Sequence, residues 1–310
     1  MKLSHFSFLF FLVTFTLSAE SISRTKVLMG TFVTVTLQKE DKKHFPFIFS
    51  LLKNIDSSLS SYDINATIYR LNHSKRVKAD FYSFDALSLA KEYYRITDGY
   101  FNVAIGSITK DAYRFGKDEQ VPKREKLLQS DISFSKLYFD EYYLRREQGI
   151  KVDLGGMGKG YAVDKVVEYL KRSNIKKATV ALSGDIFCLG ICSIKVQNPK
   201  GSQRALAQFF VKNKALSTSG NYNRYVESPK HNHLINPKSK SSAKEFISIT
   251  LISELANSDL DAFATAASVM PKEKAYKFLN SLPVAYIIVE KDSSVIMSDK
   301  LLSFIEDTHK

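Results

Sequence analysis

Two cysteines in 310 residues cannot build a disulfide scaffold or fill a four-thiolate zinc site. They fall in Cys188-Leu189-Gly190-Ile191-Cys192, which is not the CxxC of a redox motif. The spacing allows a local disulfide in an oxidising compartment. The preferred reading is one thiol in a strand and the other in the following turn. Glycine (13) and proline (7) are too scarce for a collagen-like or low-complexity chain. Residues that are 44% hydrophobic and 12% aromatic exclude disorder throughout and suffice for a large core, in one big domain or two smaller ones. Repeats and long linkers are missing too. Acidic residues are short of basic ones, 32 against 45, for a formal net charge of +13. That balance points to an anionic partner without choosing among nucleic acid, lipid and a phosphate-bearing small molecule.

The one long apolar run is at the amino terminus. Met1-Lys2-Leu3 leads into Phe6-Ser7-Phe8-Leu9-Phe10-Phe11-Leu12-Val13 and exits at Ser18-Ala19. One cation, an apolar stretch and a small-residue exit read as a secretory signal over residues 1–19, cut near Ala19. Leu3 to Leu17 falls short of the roughly 20 residues of a membrane span, and no cysteine near the exit offers a lipid anchor. The expected protein is therefore exported and periplasmic, with at most peripheral attachment to the inner membrane, and residues 20–310 form its functional unit. In that compartment the basic charge serves solubility, a membrane surface or a phosphorylated ligand. No aromatic-basic strand motif of a nucleic-acid module is present, and no nucleic-acid partner is expected.

Periodicity predicts a strand over Lys26–Leu37 and helices over Phe45–Ser60 and Ser83–Ile96, the latter stopping at Asp98-Gly99. The charged stretch 110–150 reads as turns, a short helix and one strand pair. A short strand at Ile150–Leu154 should run into glycines, followed by a helix over Tyr161–Lys171. Further strands are expected at 178–182, 192–198, 206–212, 246–252, 284–290 and 294–298, with helices at 257–270 and 272–281. Strands cluster without regular βαβ alternation, so the expected class is α+β rather than a doubly wound parallel sheet.

Three segments carry chemistry. The first is Asp153-Leu154-Gly155-Gly156-Met157-Gly158-Lys159-Gly160-Tyr161-Ala162-Val163-Asp164. Its glycines bring bare backbone close to a ligand, and the helix that follows offers unpaired N–H groups to a phosphate. It is neither a Walker loop nor the GxGxxG fingerprint, and alone such a loop is as often a structural turn. The second is Asp261-Ala262-Phe263-Ala264-Thr265, which puts a carboxylate and a hydroxyl one helical turn apart. These are hard oxygen ligands of the kind Mg²⁺ accepts, although a solvated Asp and a back-bonded Thr would look the same. The third is His231-Asn232-His233-Leu234-Ile235-Asn236-Pro237, where one alternating His can point inward as a general base or polar contact. Upstream, Ala215-Leu216-Ser217-Thr218-Ser219-Gly220-Asn221-Tyr222 reads as a turn by default, with a polar pocket wall as the alternative.

The order and wording of these segments resemble the ApbE family of FAD:protein FMN transferases from about Met29 to the C-terminus. Met29-Gly30-Thr31 looks like the family's MGT, and Asp98-Gly99-Tyr100-Phe101-Asn102 with Gly106 like its TGG-A-F-D…G segment. The glycine loop is similar to DLGGIAKGYAVD and Ser183-Gly184-Asp185-Ile186 to GGDI. Ser217 to Tyr222 looks like ATSGDY, His233 to Pro237 like HIIDP, and Asp261 to Thr265 like DALAT. The resemblance implies a single large T-fold-like domain of mostly antiparallel sheets with packed helices. It implies FAD as substrate, Mg²⁺ at its pyrophosphate, and FMN transfer to a Thr or Ser hydroxyl with release of AMP.

Site roles follow from the same resemblance. Gly158 by its carbonyl, Asp261 and Thr265 would hold the metal. Lys159 and the helix N-terminus would hold the pyrophosphate. His233 would be the general base, with Asp261 the second catalytic residue. Met29, Tyr62, Tyr100, Phe101 and Ile235 take positions against the isoalloxazine or adenine. Asn102, Asp153 and Ser219 complete the flavin set, with Asp153 and Asp164 orienting the loop. The implied partner is a flavoprotein subunit or FMN-binding domain bearing a Ser/Asp-Gly-Ala-Thr/Ser-type acceptor. A FAD carrier or a Mg²⁺-dependent FAD pyrophosphatase would share every binding motif. Asn102, Asn221 and Asn236 stand where the family usually has Asp, Gly158 where it has Ala and Ser183 where it has Gly. The expected result is a less acidic pocket with weaker proton transfer or altered metal affinity.

Overall fold

Residues 26–37 form not one strand but the tip of a hairpin. In the computed structural model, which describes residues 20–201 and 204–306, β1 (Ser21–Leu28) and β2 (Thr31–Gln38) are joined by Met29 and Gly30, at φ 52° and 69°. Two successive left-handed residues make the tight turn whose twist matches its strands, here pairing Leu28 with Thr31. The period-two pattern runs through the turn unbroken and so conceals it. The expected signal segment, residues 1–19, lies outside the described residues.

Next, α1 (Phe45–Leu59) buries Phe45, Ile48, Phe49, Leu52, Ile55 and Leu59, a stripe at helical spacing. The chain continues through α2 (Thr67–His73), too short to show a period, and β3 (Arg76–Lys78). At the start of α3 (Phe81–Ile96), Ser83 N donates to Asp80 Oδ1 at 3.0 Å while Asp80 N donates to Ser83 Oγ at 3.1 Å, a reciprocal cap. Beyond it come α4 (Arg124–Gln129), β4 (Leu137–Phe139) and β5 (Tyr143–Arg146), with a small antiparallel sheet ordered β3-β5-β4. Ile150–Leu154 is not a strand, since Lys151 alone bridges Ile105 before the chain turns into the glycine loop.

The remaining elements are α5 (Gly158–Arg172), β6 (Ala178–Leu182), β7 (Asp185–Val196), β8 (Ala207–Gly220), β9 (Ile235–Asn236), β10 (Ser241–Ser242), β11 (Phe246–Ser253), α6 (Asn257–Val269), α7 (Lys272–Asn280), β12 (Ala285–Glu290) and β13 (Val295–Met297). Eight strands form one antiparallel sheet in the order β1-β2-β6-β7-β8-β11-β12-β13. Helices α1, α5 and α6 cover one face, where Val33, Val35, Leu182 and Leu251 meet Leu52, Val163 and Leu260 in the main core. The fold is the α+β, mostly antiparallel architecture expected.

Two strands run longer than periodicity suggests. Ala215–Gly220 is not a turn but the end of β8, paired residue by residue with β11 from Ala215↔Ser253 to Gly220↔Ser248. Serines alternate onto its helix-covered face, and this polarity hides the strand. Further back, Gly190 (φ 79°) and Asn213 (φ 52°) sit at one level of the β7–β8 pair, and Gly190 N donates to Asn213 Oδ1 at 2.8 Å. Beyond that bend the hairpin folds back over the sheet's other face. Ile194, Val196 and Val211 join Leu216, Ile252, Ala285 and Ile287 there in a second core. Both cysteines lie in β7 and form a Cys188–Cys192 disulfide, Cα atoms 5.9 Å apart, which corrects the strand-and-turn reading. A register slip between Cys188 and Ile191, with Gly190 left-handed, bends the strand there, so that two residues that a regular strand would hold about 13 Å apart come within bridging distance.

Candidate active site

A cavity of about 1040 Å³ opens at the end of the large sheet, where the β1–β2 turn, the β6–β7 turn and the end of β8 meet the start of α5. Every site residue singled out from sequence except Asp164, which caps α6 instead of orienting the loop, lines it. Met29 comes from the hairpin turn, Tyr62 from the loop after α1, and Tyr100, Phe101 and Asn102 from the segment after α3. Asp153, Gly158 and Lys159 come from the glycine loop, Ser219 from β8, His233 and Ile235 from the histidine segment, and Asp261 and Thr265 from α6. His231, the alternating neighbour of His233, is not among the lining residues.

The wall between α5 and α6 is built by close approach. A Cβ on Gly160 would lie 2.4 Å from the Asn257 carbonyl oxygen and 2.9 Å from Asp261 Cβ, so only glycine lets these backbones touch. Across this contact Gly160 N donates to Asp261 Oδ2 at 3.2 Å. Asp164, on α5, accepts from Asn257 N at 2.7 Å and Ser258 N at 2.8 Å. It caps α6 from outside, which Ala256 at the N-cap position cannot do. Burial pushes the Asp164 carboxyl up to about 6 despite these bonds.

Asp261 and Asp185 are both buried, and Lys159 stands between them. Its ammonium lies 2.7 Å from Asp185 Oδ2 and 3.2 Å from Asp261 Oδ2. Ser217 Oγ donates to the other Asp185 oxygen at 2.6 Å. Burial favours the neutral lysine, but the two carboxylates prevail and hold Lys159 firmly charged. Burial and the nearby Asp185 push the Asp261 carboxyl up, against the pull of Lys159 and Gly160. Lys159 thus serves as an internal counter-ion rather than a free phosphate ligand. Asp185 was missed in the sequence as a site residue, although it sits inside the segment Ser183-Gly184-Asp185-Ile186.

Beside this group Thr265 Oγ1 donates to the carbonyl of Gly156, not of Gly158 as expected, at 3.3 Å, and lies 3.3 Å from Ser219 Oγ. A carboxylate, two hydroxyls and a loop carbonyl make an all-oxygen donor set of the kind a hard divalent cation takes. Two carboxylates against one ammonium leave the group a negative charge that such a cation would offset. Among the described residues no three His, Cys, Asp or Glu side chains converge on a metal site, so a bound ion would depend on the hydroxyl and carbonyl oxygens.

Across the cavity, Asp153 Oδ2 accepts from Thr109 Oγ1 at 2.6 Å and faces Lys110 Nζ at 3.2 Å, while Gly155 N donates to Oδ1 at 3.0 Å. Lys110 and these donors outweigh burial and hold the carboxyl down at about 2. Tyr62 Oη receives Lys110 Nζ at 2.7 Å and Arg224 Nη2 at 2.8 Å. His233 Nδ1 is 3.0 Å from the Arg224 carbonyl, which fixes the tautomer with the proton on Nδ1 and leaves Nε2 an open acceptor. Burial first, then the cations Arg224 and Lys159, lower the imidazole pKa to about 4. At neutral pH His233 is therefore an uncharged base.

The family model of the ApbE family matches residues 29–288, most of the chain. The chain belongs to the ApbE family. It is similar to the FAD:protein FMN transferase of Klebsiella pneumoniae (strain 342), 26% identical over 89% of this chain and 91% of the relative. The FAD:protein FMN transferase of Treponema pallidum (strain Nichols) is 25% identical over 84% of this chain and 82% of the relative. Solved ApbE structures share its fold. The Thermotoga maritima protein has TM-score 0.84 at 23% identity, and the Vibrio cholerae flavin transferase 0.80 at 20%, each covering 93% of this chain and 100% of that structure.

The departures from the ApbE pattern have structural reasons. Asn102, Asn221 and Asn236 each donate Nδ2 to a backbone carbonyl, of Ile132 at 2.9 Å, Phe246 at 2.8 Å and Val269 at 2.6 Å. A carboxylate cannot donate, so these amides hold loops. Asn102 accordingly lines the cavity with its amide already spent. A Cβ at Gly158 would meet only Leu154 Cβ, at 3.9 Å, so the alanine usual in ApbE proteins fits here. Ser183 sits at φ 57°, a left-handed conformation that suits the family's glycine better.

Proposed function

We propose that this chain transfers the FMN portion of FAD to a Ser or Thr hydroxyl of a target protein, releasing AMP, with Mg²⁺ bound at the oxygen donors beside Asp261. The observation that carries this reading is one cavity holding both a neutral His233 with an open Nε2 and the oxygen group of Asp261, Thr265, Ser219 and Gly156. Its volume suits a dinucleotide with room for an incoming group. The likeness to FAD:protein FMN transferases over most of the chain supports the same assignment.

In this reading the acceptor oxygen attacks the FMN phosphorus as its proton passes to His233 Nε2. A P–O bond forms, the P–O bond to AMP breaks, and the released AMP carries the leaving electron pair. The Arg224 carbonyl keeps the imidazole in the receptive tautomer throughout. Asp185 and Lys159 fix the Asp261 carboxylate, and Asp153 ties the glycine loop to Thr109 and Lys110. When bound, Mg²⁺ would supply Lewis-acid neutralisation of the charge developing on the diphosphate. An exported, periplasmic setting completes the proposal. The Cys188–Cys192 disulfide supports it, since such bonds persist in oxidising compartments, and no described helix is long and apolar enough to cross a membrane.

The test is incubation with FAD, Mg²⁺ and a target bearing the Asp-Gly-Ala-Thr acceptor, read as in-gel flavin fluorescence. Wild type should label the target, and Asp261→Ala should lower labelling by at least about 100-fold. Free FMN and AMP without a labelled target would overturn the transferase reading, and full labelling by Asp261→Ala would overturn the metal assignment.

A further inference from the structure

A protein acceptor has to reach the cavity from outside, and the back of the sheet offers a path with an unusual edge. Pairing between β6 and β7 ends at Ala178↔Leu189. From Ile191 to Val196, β7 is paired on the β8 side alone among the described residues. The bend at Gly190 and Asn213 lays this stretch back over the sheet, keeping β7 on the β6 side and β8 on the side where Phe210 bridges Glu306. The open edge of β7 therefore faces the back of β6, where Cys192 Sγ lies 3.4 Å from Thr179 Oγ1, with β2 the next strand beyond it.

That surface is polar along most of β1 and β2, with Thr25 Oγ1 2.8 Å from Thr34 Oγ1 and Ser23 Oγ 2.7 Å from Thr36 Oγ1, but it turns apolar at the end next to the hairpin turn. Val33, Val35 and Leu37 point into the helix-covered core, so Phe32 points to the back, opposite Val27 on β1. Val27 is 69% and Phe32 71% exposed, a cross-strand pair that the described residues leave open to solvent. The next two strands add half-buried Ala181 and Ile186 on the same face.

Floor and wall both run into the cavity. Ile194, Lys195, Val196 and Gln197 of the open edge line it, as do Ser183, Gly184 and Ile186 at the strand turn. An open strand edge above a floor that is apolar at its cavity end fits an extended polypeptide, which gains main-chain hydrogen bonds from the edge and packs an apolar side chain against Val27 and Phe32. A nucleotide or lipid headgroup has no use for the edge. Lys195 on the rim has no carboxylate partner among the described residues and would favour an acidic residue in the segment.

We propose that the acceptor protein docks as an added strand along Ile191–Val196, over Val27 and Phe32, and so delivers its hydroxyl to His233. This rests on the transferase reading above. The probe is a synthetic peptide with Asp-Gly-Ala-Thr flanked by apolar residues, assayed with FAD and Mg²⁺. Val27→Glu/Phe32→Glu should raise the KM for peptide about tenfold or more, the effect of one lost apolar anchor, and leave FAD affinity and Tm unchanged. Phe32→Leu should stay near wild type. A photo-crosslinking benzoyl-phenylalanine in place of Phe32 should capture the peptide, whereas one in place of exposed Phe81, on α3, should not. If wild type labels the peptide but the double variant does so with unchanged KM, or only the Phe81 position crosslinks, the docking surface is wrong and the transferase stands. If wild type binds FAD yet never labels the peptide, the transferase reading fails and takes the docking surface with it.

Discussion

Two glycines two residues apart at the start of α5 should respond oppositely to the same substitution. At Gly160 an added methyl would sit 2.4 Å from the Asn257 carbonyl oxygen and 2.7 Å from its carbon. Both are backbone atoms at the start of α6, so no side chain can swing away. Relief to an ordinary contact of about 3.5 Å requires α5 and α6 to part by about 1 Å. Overpacking of this kind costs about 1–3 kcal/mol, partly offset by the 0.5–1 kcal/mol that alanine gains over glycine in a helix. A net loss of about 1–2 kcal/mol should lower Tm by about 2–4 °C at this chain length. Activity should suffer more. The moving helix carries Asp261 and Thr265 away from Gly156 and Lys159, and a 1 Å misplacement of reacting groups costs about 100-fold. Gly158→Ala, with only Leu154 Cβ at 3.9 Å, should keep full activity and gain slightly in Tm. Thermal unfolding and in-gel flavin labelling of both variants decide the matter. Wild-type labelling by Gly160→Ala, or equal damage from Gly158→Ala, would refute the close-contact account of this wall.

Three further outcomes are expected. Because burial lowers the His233 pKa to about 4, the acid limb of kcat/KM should fall near pH 4 rather than 6.5, and His233→Ala should lose transfer while still binding FAD in a fluorescence titration. Asp153 is held down at about 2, so it contributes stability that is complete above about pH 4 and lost as pH falls towards 2. The difference in unfolding free energy between wild type and Asp153→Asn should close over that window, from about 2 kcal/mol at pH 7. Reducing the Cys188–Cys192 bond opens a loop with sequence separation 4 and should cost about 2 kcal/mol, seen as a Tm drop of about 4 °C with no change in FAD affinity.

What the sequence made legible follows the reach of each interaction. Helices α1, α3, α5, α6 and α7 were readable because their apolar stripes recur every three to four residues within one window. Cavity-lining residues were readable through the resemblance of several short motifs, in order, to the ApbE family, because the glycine loop and the Asp-Thr helical turn taken alone fit a structural turn and a solvated pair equally well. The β1–β2 turn was not, because Met29 takes a left-handed conformation that its residue type disfavours and the alternation on either side keeps phase. Ala215–Gly220 looked like a turn for a related reason. Ser217 and Ser219 are polar because they face Asp185 and Thr265, partners on other elements.

The counter-ion group shows the limit most clearly. Lys159, Asp185 and Asp261 stand 26 and 76 residues apart in the chain, and no window of sequence shows that the three meet. Burial makes them interdependent, because two carboxylates sharing an apolar wall need the ammonium between them to remain ionised. The same constraint explains why Gly160 must be bare. Only when α5 touches α6 does the lysine one residue earlier reach both carboxylates, so the glycine sets the geometry and the charges use it. A sequence window sees the glycine as a turn and the lysine as a phosphate ligand, whereas the folded contact makes one the hinge of the other's position.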